Sequence, residues 1–161
     1  MAKLTHADST GKARIVDVSG KAVTPRYARA TGNIRMKPET LEAIRGNSIA
    51  KGDVLSVARV AGIMAAKKTA ELIPLCHTVP LSDIQVELTL DSALPGVRCE
   101  ATARTTAQTG VEMEAISAVA LCLVTIYDMA KAIDKDMIIS DISLQEKSGG
   151  KSGAWKRSAG A

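Results

Sequence analysis

Residues 84–104, IQVELTLDSALPGVRCEATAR, decide the fold. Ile84, Val86, Leu88 and Leu90 alternate with Gln85, Glu87, Thr89 and Asp91, the period of two that sends one set to a buried face and the other to solvent. Asp91-Ser92-Ala93-Leu94-Pro95-Gly96 supplies the turn, and beyond it Val97, Cys99, Ala101 and Ala103 oppose Arg98, Glu100, Thr102 and Arg104. The pattern predicts a two-stranded antiparallel hairpin.

Downstream, Thr109 to Lys135 reads TGVEMEAISAVALCLVTIYDMAKAIDK, and between Val111 and Ile133 its only charges are Glu112, Glu114, Asp128 and Lys131. This is a helix expected to be buried on nearly every side. Upstream, Tyr27 to Lys37 predicts a strand, Pro38 opens a helix that stops at Gly46, and a longer helix is expected from about Lys51 to Leu72, before Pro74. Met137 to Leu144 completes the series as a last strand.

Strand, helix pair, strand, strand, helix, strand is the split βαβ order of ferredoxin-like α+β domains, with helices on one face of an antiparallel sheet. Val54 to Ala66 contains one charge, Arg59, so its helix is as apolar as the later one. A single sheet face cannot cover both on all sides, which predicts a homo-oligomer that buries helix surface.

The 161 residues fit one domain, 1–161, with flexible segments expected at about 1–14 and, rich in glycine and lysine, at about 146–161. With no Phe, one Trp and two Tyr, the core must be aliphatic and rich in Ala. Cys76, Cys99 and Cys122 are odd in number and widely spaced, which gives neither a zinc pattern nor a disulfide framework. The net charge of +4 gathers near the two ends, in Lys12–Lys37 and Lys147–Arg157, and suits an anionic partner. The apolar run reads as too short and too bounded by charge to cross a bilayer, and the first residues do not resemble a signal peptide, so a cytoplasmic protein is expected.

The four charges of the apolar helix constrain function. Glu114 and Asp128 are separated by 14 residues, which on one helix is about 21 Å along the axis. They cannot share a small-molecule site within one helix, so either they serve different sites or one site combines two subunits. Thr109 and Glu112 fit a capping box, and Lys131 suits a helix C-terminus. Asp128 opposes the helix dipole there and is the strongest functional candidate on physical grounds. His77, at the end of Leu72-Ile73-Pro74-Leu75-Cys76-His77, stands where ligands often approach, although a lone His is more often structural. Gly150-Lys151-Ser152 matches the end of a Walker A motif, but Gln145 occupies the place of its first glycine and no useful helix follows.

Taken together, Asp17-Val18-Ser19, Thr24-Pro25-Arg26, Lys51-Gly52-Asp53-Val54-Leu55, Ala61 to Lys67, Leu72 to His77, Thr109 to Ala115, Tyr127 to Ala132 and Lys147 to Gly153 resemble the cyclic pyranopterin monophosphate synthase family of molybdenum cofactor biosynthesis. The likeness spans about Leu4 to Trp155 in order and spacing. It implies a lyase that rebuilds 3′,8-cyclo-7,8-dihydroguanosine 5′-triphosphate into the cyclic monophosphate and releases diphosphate. The assembly implied is a homohexamer of three dimers with active sites at dimer interfaces. By the same resemblance Asp128, Lys51 and Lys131 are catalytic, while Leu75, Cys76, His77, Met113 and Glu114 contact substrate, and Asp17, Arg26, Glu112 and Lys147 lie near the same pocket. No metal or cofactor is implied. An RNA-binding role is disfavoured because the hairpin strands lack aromatic residues on which bases could stack. A non-catalytic nucleotide sensor would need the same cations and stays open at this level.

Overall fold

In a computed structural model, residues 12–158 are described, and residues 1–11, most of the expected flexible leader, lie outside them. The elements in chain order are β1 (Thr24–Arg35), α1 (Pro38–Arg45), α2 (Val54–Lys67), α3 (Thr69–Leu72), β2 (Asp83–Asp91), β3 (Gly96–Ala107), α4 (Glu112–Ala130), β4 (Ile138–Ser148) and β5 (Trp155–Lys156). The sheet order is β2-β3-β1-β4-β5, and every neighbouring pair is antiparallel. Its first four strands have the ferredoxin-like arrangement, with α2 and α4 packed on one face.

The hairpin alternation holds, since Val97, Cys99, Ala101 and Ala103 are buried and Val86 faces the same core. β1 adds Ala28, Ala30 and Ile34 to that face. Small residues let the layers approach closely. A side chain at Gly32 would come within 2.8 Å of Val119 Cγ1 on α4, and one at Gly62 of α2 within 2.9 Å of the Ala118 carbonyl oxygen. α4 is long and apolar enough by composition to span a membrane, contrary to the length argument from sequence. Its position explains that composition: Ala115, Ala118, Val119, Cys122, Leu123 and Ile126 are wholly buried in the core of this fold.

Several boundaries differ from the sequence reading, and β1 itself runs Thr24–Arg35 rather than Tyr27–Lys37. α2 starts at Val54, because Asp53 caps it by accepting from the Ser56 N–H at 3.0 Å, and Lys51 therefore lies outside the helix. The helix is interrupted at Lys68, and the Thr69 hydroxyl satisfies the Ala65 and Ala66 carbonyls before the single turn of α3. β4 extends to Ser148, and Trp155–Lys156 pairs with Glu146–Lys147, so the segment expected to be mobile from 146 begins as strand.

Candidate active site

α4 starts at Glu112, and Val111, fully buried with φ -122° and ψ 26°, stands at the preceding position. The capping box is thereby corrected: Val111 takes the cap position, with no side-chain hydrogen bond from Thr109. The first turn of α4 faces the exit from α3, and Leu75, Cys76, His77, Glu112, Met113 and Glu114 line a cavity of about 400 Å³. Two carboxylates in one small cleft carry unequal environments. Glu114 is only 3% exposed. Burial, partly offset by its own backbone N–H and reinforced by the Glu112 charge, pushes its pKa up to about 6.

Burial followed by the Glu114 charge also pushes the Cys76 pKa upward, so Cys76 contributes a neutral thiol to the cleft rather than a thiolate nucleophile. His77 Nε2 lies 2.6 Å from the Val16 carbonyl oxygen. A carbonyl can only accept, which places a proton on Nε2. That contact brings the segment carrying Asp17 beside the cleft; the Asp17 carboxylate itself turns back to accept from the Ser19 N–H at 2.9 Å.

Glu112 links this cleft to a cationic region. Its Oε1 lies 3.4 Å from Lys147 Nζ, which also donates to the Ser152 hydroxyl at 2.8 Å. Beyond Lys147, a larger cavity of about 780 Å³ is lined by Lys21, Thr24, Arg26, Lys151 and Ser152 among others. Arg26 is held by donating Nε to the Ala107 carbonyl at 3.3 Å and Nη2 to the Gln108 carbonyl at 3.2 Å. The glycine-rich turn must come close to it. Gly149 has φ +99° and Gly150 φ +71°, and a Cβ at Gly150 would overlap Arg26 Nη1.

At the far end of α4, Asp128 accepts from Lys51 Nζ at 2.8 Å and pairs with Lys131 Nζ at 2.7 Å. Lys51 also donates to the Asp128 carbonyl at 2.9 Å, a reach that its place before the Asp53 cap allows. Hydrogen bonds from Lys131 and then Lys51 hold the Asp128 pKa down to about 2. All three side chains are about half exposed, at 48%, 55% and 51% for Lys51, Asp128 and Lys131. The trio is preassembled but open to whatever approaches that surface.

A sequence model of the MoaC family matches residues 15–150. The chain belongs to the MoaC family. It is 58% identical over 156 residues to the cyclic pyranopterin monophosphate synthase of Dinoroseobacter shibae, covering 97% of this chain and 99% of that protein. The synthase of the same name from Novosphingobium aromaticivorans is also 58% identical over 156 residues, with 97% and 98% covered. The MoaC-family motifs read from sequence thus fall into two groups at opposite ends of α4. Leu75, Cys76, His77, Glu112, Met113, Glu114 and Lys147 gather at its start with Arg26 nearby, and Asp128, Lys51 and Lys131 at its end. Lys21 and Thr24, which line the larger cavity, were not singled out from the sequence. Lys21 carried no signal beyond belonging to a basic stretch, while Thr24 stood unremarked in the quoted Thr24-Pro25-Arg26.

Proposed function

We propose that this protein has cyclic pyranopterin monophosphate synthase activity, converting 3′,8-cyclo-7,8-dihydroguanosine 5′-triphosphate to cyclic pyranopterin monophosphate and diphosphate, an early step of molybdenum cofactor biosynthesis. The observation that carries the reading is 58% identity, over nearly the whole of both chains, to proteins named for that activity. The geometry supports it chemically. Rebuilding a purine-derived ring system moves protons at several atoms, and Glu114, with a pKa near 6, can donate and accept close to neutrality. Cyclic phosphate formation joins a substrate hydroxyl oxygen to the α-phosphorus while the bond to the β-phosphate breaks and its electron pair leaves on diphosphate. The hydroxyl proton passes to a base, and cations stabilise the departing charge.

Asp128, held ionised by two lysines, serves as a proton acceptor and as the group that orients the Lys51 and Lys131 ammonium ions. In this proposal the acceptor function becomes available as substrate phosphates draw a lysine away. Because α4 is continuous from Glu112 to Ala130, the Asp128 trio is about 21 Å along its axis from Glu114. A complete site therefore joins the start of α4 in one subunit with its end in another. Val57, Val60 and Met64 on α2 and Leu121 and Val124 on α4 are 38–55% exposed. That apolar surface on the helical layer suits burial by a second copy. The assembly of three dimers and the cytoplasmic location implied by the family resemblance belong to the same proposal.

Incubating the protein with the cyclised triphosphate tests the reading directly. Diphosphate and a pterin product should appear together; binding without either product would instead identify a nucleotide sensor.

A further inference from the structure

We infer that Asp134 is a positioning residue for the proposed reaction: buried behind the end of α4, it ties the turn that carries Lys131 to the start of α1 and so fixes the geometry of the Lys51–Asp128–Lys131 trio. The inference rests on the synthase reading. Asp134 is 1% exposed, whereas the three side chains of the trio are each about half exposed. A lysine stem open to solvent does not hold its ammonium ion in one place, so the aim of the trio depends on how firmly the backbone beneath it is anchored.

That anchoring converges on one carboxylate. Asp134 Oδ2 accepts from the Lys37 N–H at 2.9 Å and from the Thr40 hydroxyl at 3.2 Å, contacts that span 97 and 94 residues of sequence. Its Oδ1 accepts from the Asp136 N–H at 3.0 Å and lies 3.8 Å from Lys37 Nζ. Lys37 precedes α1 without a side-chain capping bond of its own, so Asp134 brings the negative charge that favours the start of that helix. Burial raises the Asp134 pKa, but the Lys37 and Asp136 N–H groups and then the Thr40 hydroxyl outweigh it and hold the carboxyl below its ordinary value. The group is an ionised acceptor at neutral pH.

Both lysines are connected to this anchor through short, hydrogen-bonded segments. The turn from Lys131 to Asp134 is closed by the Lys131 N–H on the Tyr127 carbonyl at 2.8 Å and the Asp134 N–H on the Ala130 carbonyl at 3.2 Å. The Tyr127 hydroxyl braces its far side by donating to the Lys135 carbonyl at 3.1 Å. In the other direction α1 leads into a segment tied by the Ser48 N–H to the Ala43 carbonyl and by the Gly52 N–H to the Ile49 carbonyl, each at 2.9 Å, and this segment delivers Lys51. One buried carboxylate therefore joins the two backbones whose ammonium ions meet on Asp128.

Steady-state turnover of the cyclised triphosphate should be compared for wild type, Asp134→Asn, Thr40→Val, Thr40→Ser and Leu41→Ala, with folding followed by circular dichroism and urea denaturation. Leu41 is buried in α1 and serves as the control for lost packing, since it makes no bond to Asp134. In Asp134→Asn, kcat should fall about tenfold to a hundredfold while KM changes less, because the reacting groups are misaligned rather than removed. Thr40→Val should lower kcat more mildly and Thr40→Ser restore it, and this pair decides the matter if Asp134→Asn does not fold. Leu41→Ala should lower the urea midpoint yet keep the kcat of the folded enzyme. Wild-type kcat in folded Asp134→Asn or in Thr40→Val, or an equal loss of kcat in Leu41→Ala, would overturn the positioning role and leave the synthase reading intact. Failure of the wild-type protein to release diphosphate would overturn the reading on which the inference rests.

Discussion

The two ends of α4 each carry an acid, and the protein treats them oppositely. Glu114 is buried in a cleft beside another carboxylate, and its pKa rises to about 6. Asp128 is about half exposed between two lysines, and its pKa falls to about 2. Desolvation governs the first and cationic hydrogen bonds the second. One helix therefore presents a group that exchanges protons near neutrality and a group that stays ionised, the division of labour expected of paired acid–base chemistry. Each end can be perturbed separately.

The largest effect is expected from Asp128→Asn, which leaves Lys51 and Lys131 without their anion. Turnover should fall by about 10²–10⁴-fold, with substrate still bound, as measured by product formation against equilibrium binding. Retained turnover would remove Asp128 from the mechanism. Glu114→Gln should reduce turnover comparably or somewhat less, and its sharper signature lies in pH. In wild type the protonated form of Glu114 is favoured by folding, so stability is greatest below the ordinary value of 4.5 and declines as pH rises toward about 6. That decline corresponds to about 2 kcal/mol. Urea denaturation across pH should show that slope in wild type and its loss in Glu114→Gln, with the variant the more stable at pH 8. An unchanged slope would assign the pH dependence elsewhere.

Replacing Leu121 with Asp should separate subunits and lower activity while leaving the folded monomer intact, read by sedimentation and circular dichroism. Active monomers would contradict a shared site. Gly62→Ala is the subtlest case, because alanine favours a helix by about 1 kcal/mol. Here the added methyl lies 2.9 Å from the Ala118 backbone oxygen, which cannot rotate away. Net destabilisation of about 1–3 kcal/mol is expected, and a net gain would show that α2 and α4 can slide apart freely.

The elements with clean periodicity were legible in the sequence: the β2–β3 hairpin, the extent of α1 and the apolar body of α4. What escaped depended on contacts between distant residues. β4 has register shifts against β1, and Asp141 has φ +57°, so inward and outward positions cease to alternate regularly before the strand ends. Past Gln145, which has no register partner on β1, Glu146 to Ser148 continue as strand because β1 pairs with them and Tyr27 and Arg29 hold Glu146, with no hydrophobic pattern to announce it. Candidate site residues were proposed through motif resemblance and, for Asp128, through its conflict with the helix dipole. Lys21 and Thr24 escaped because nothing local distinguishes them; only folding sets them beside Arg26 and the 150–152 turn.

The central claim is that both ends of α4 act in one site, contributed by different subunits. Co-expression of Asp128→Asn with Glu114→Gln, each inactive by itself, tests it most directly through diphosphate release from the cyclised triphosphate. In a mixed dimer one of the two sites would combine an intact Asp128 from one chain with an intact Glu114 from the other. Random pairing should then restore about a quarter of wild-type activity. No recovery from verified mixed oligomers would contradict the shared site.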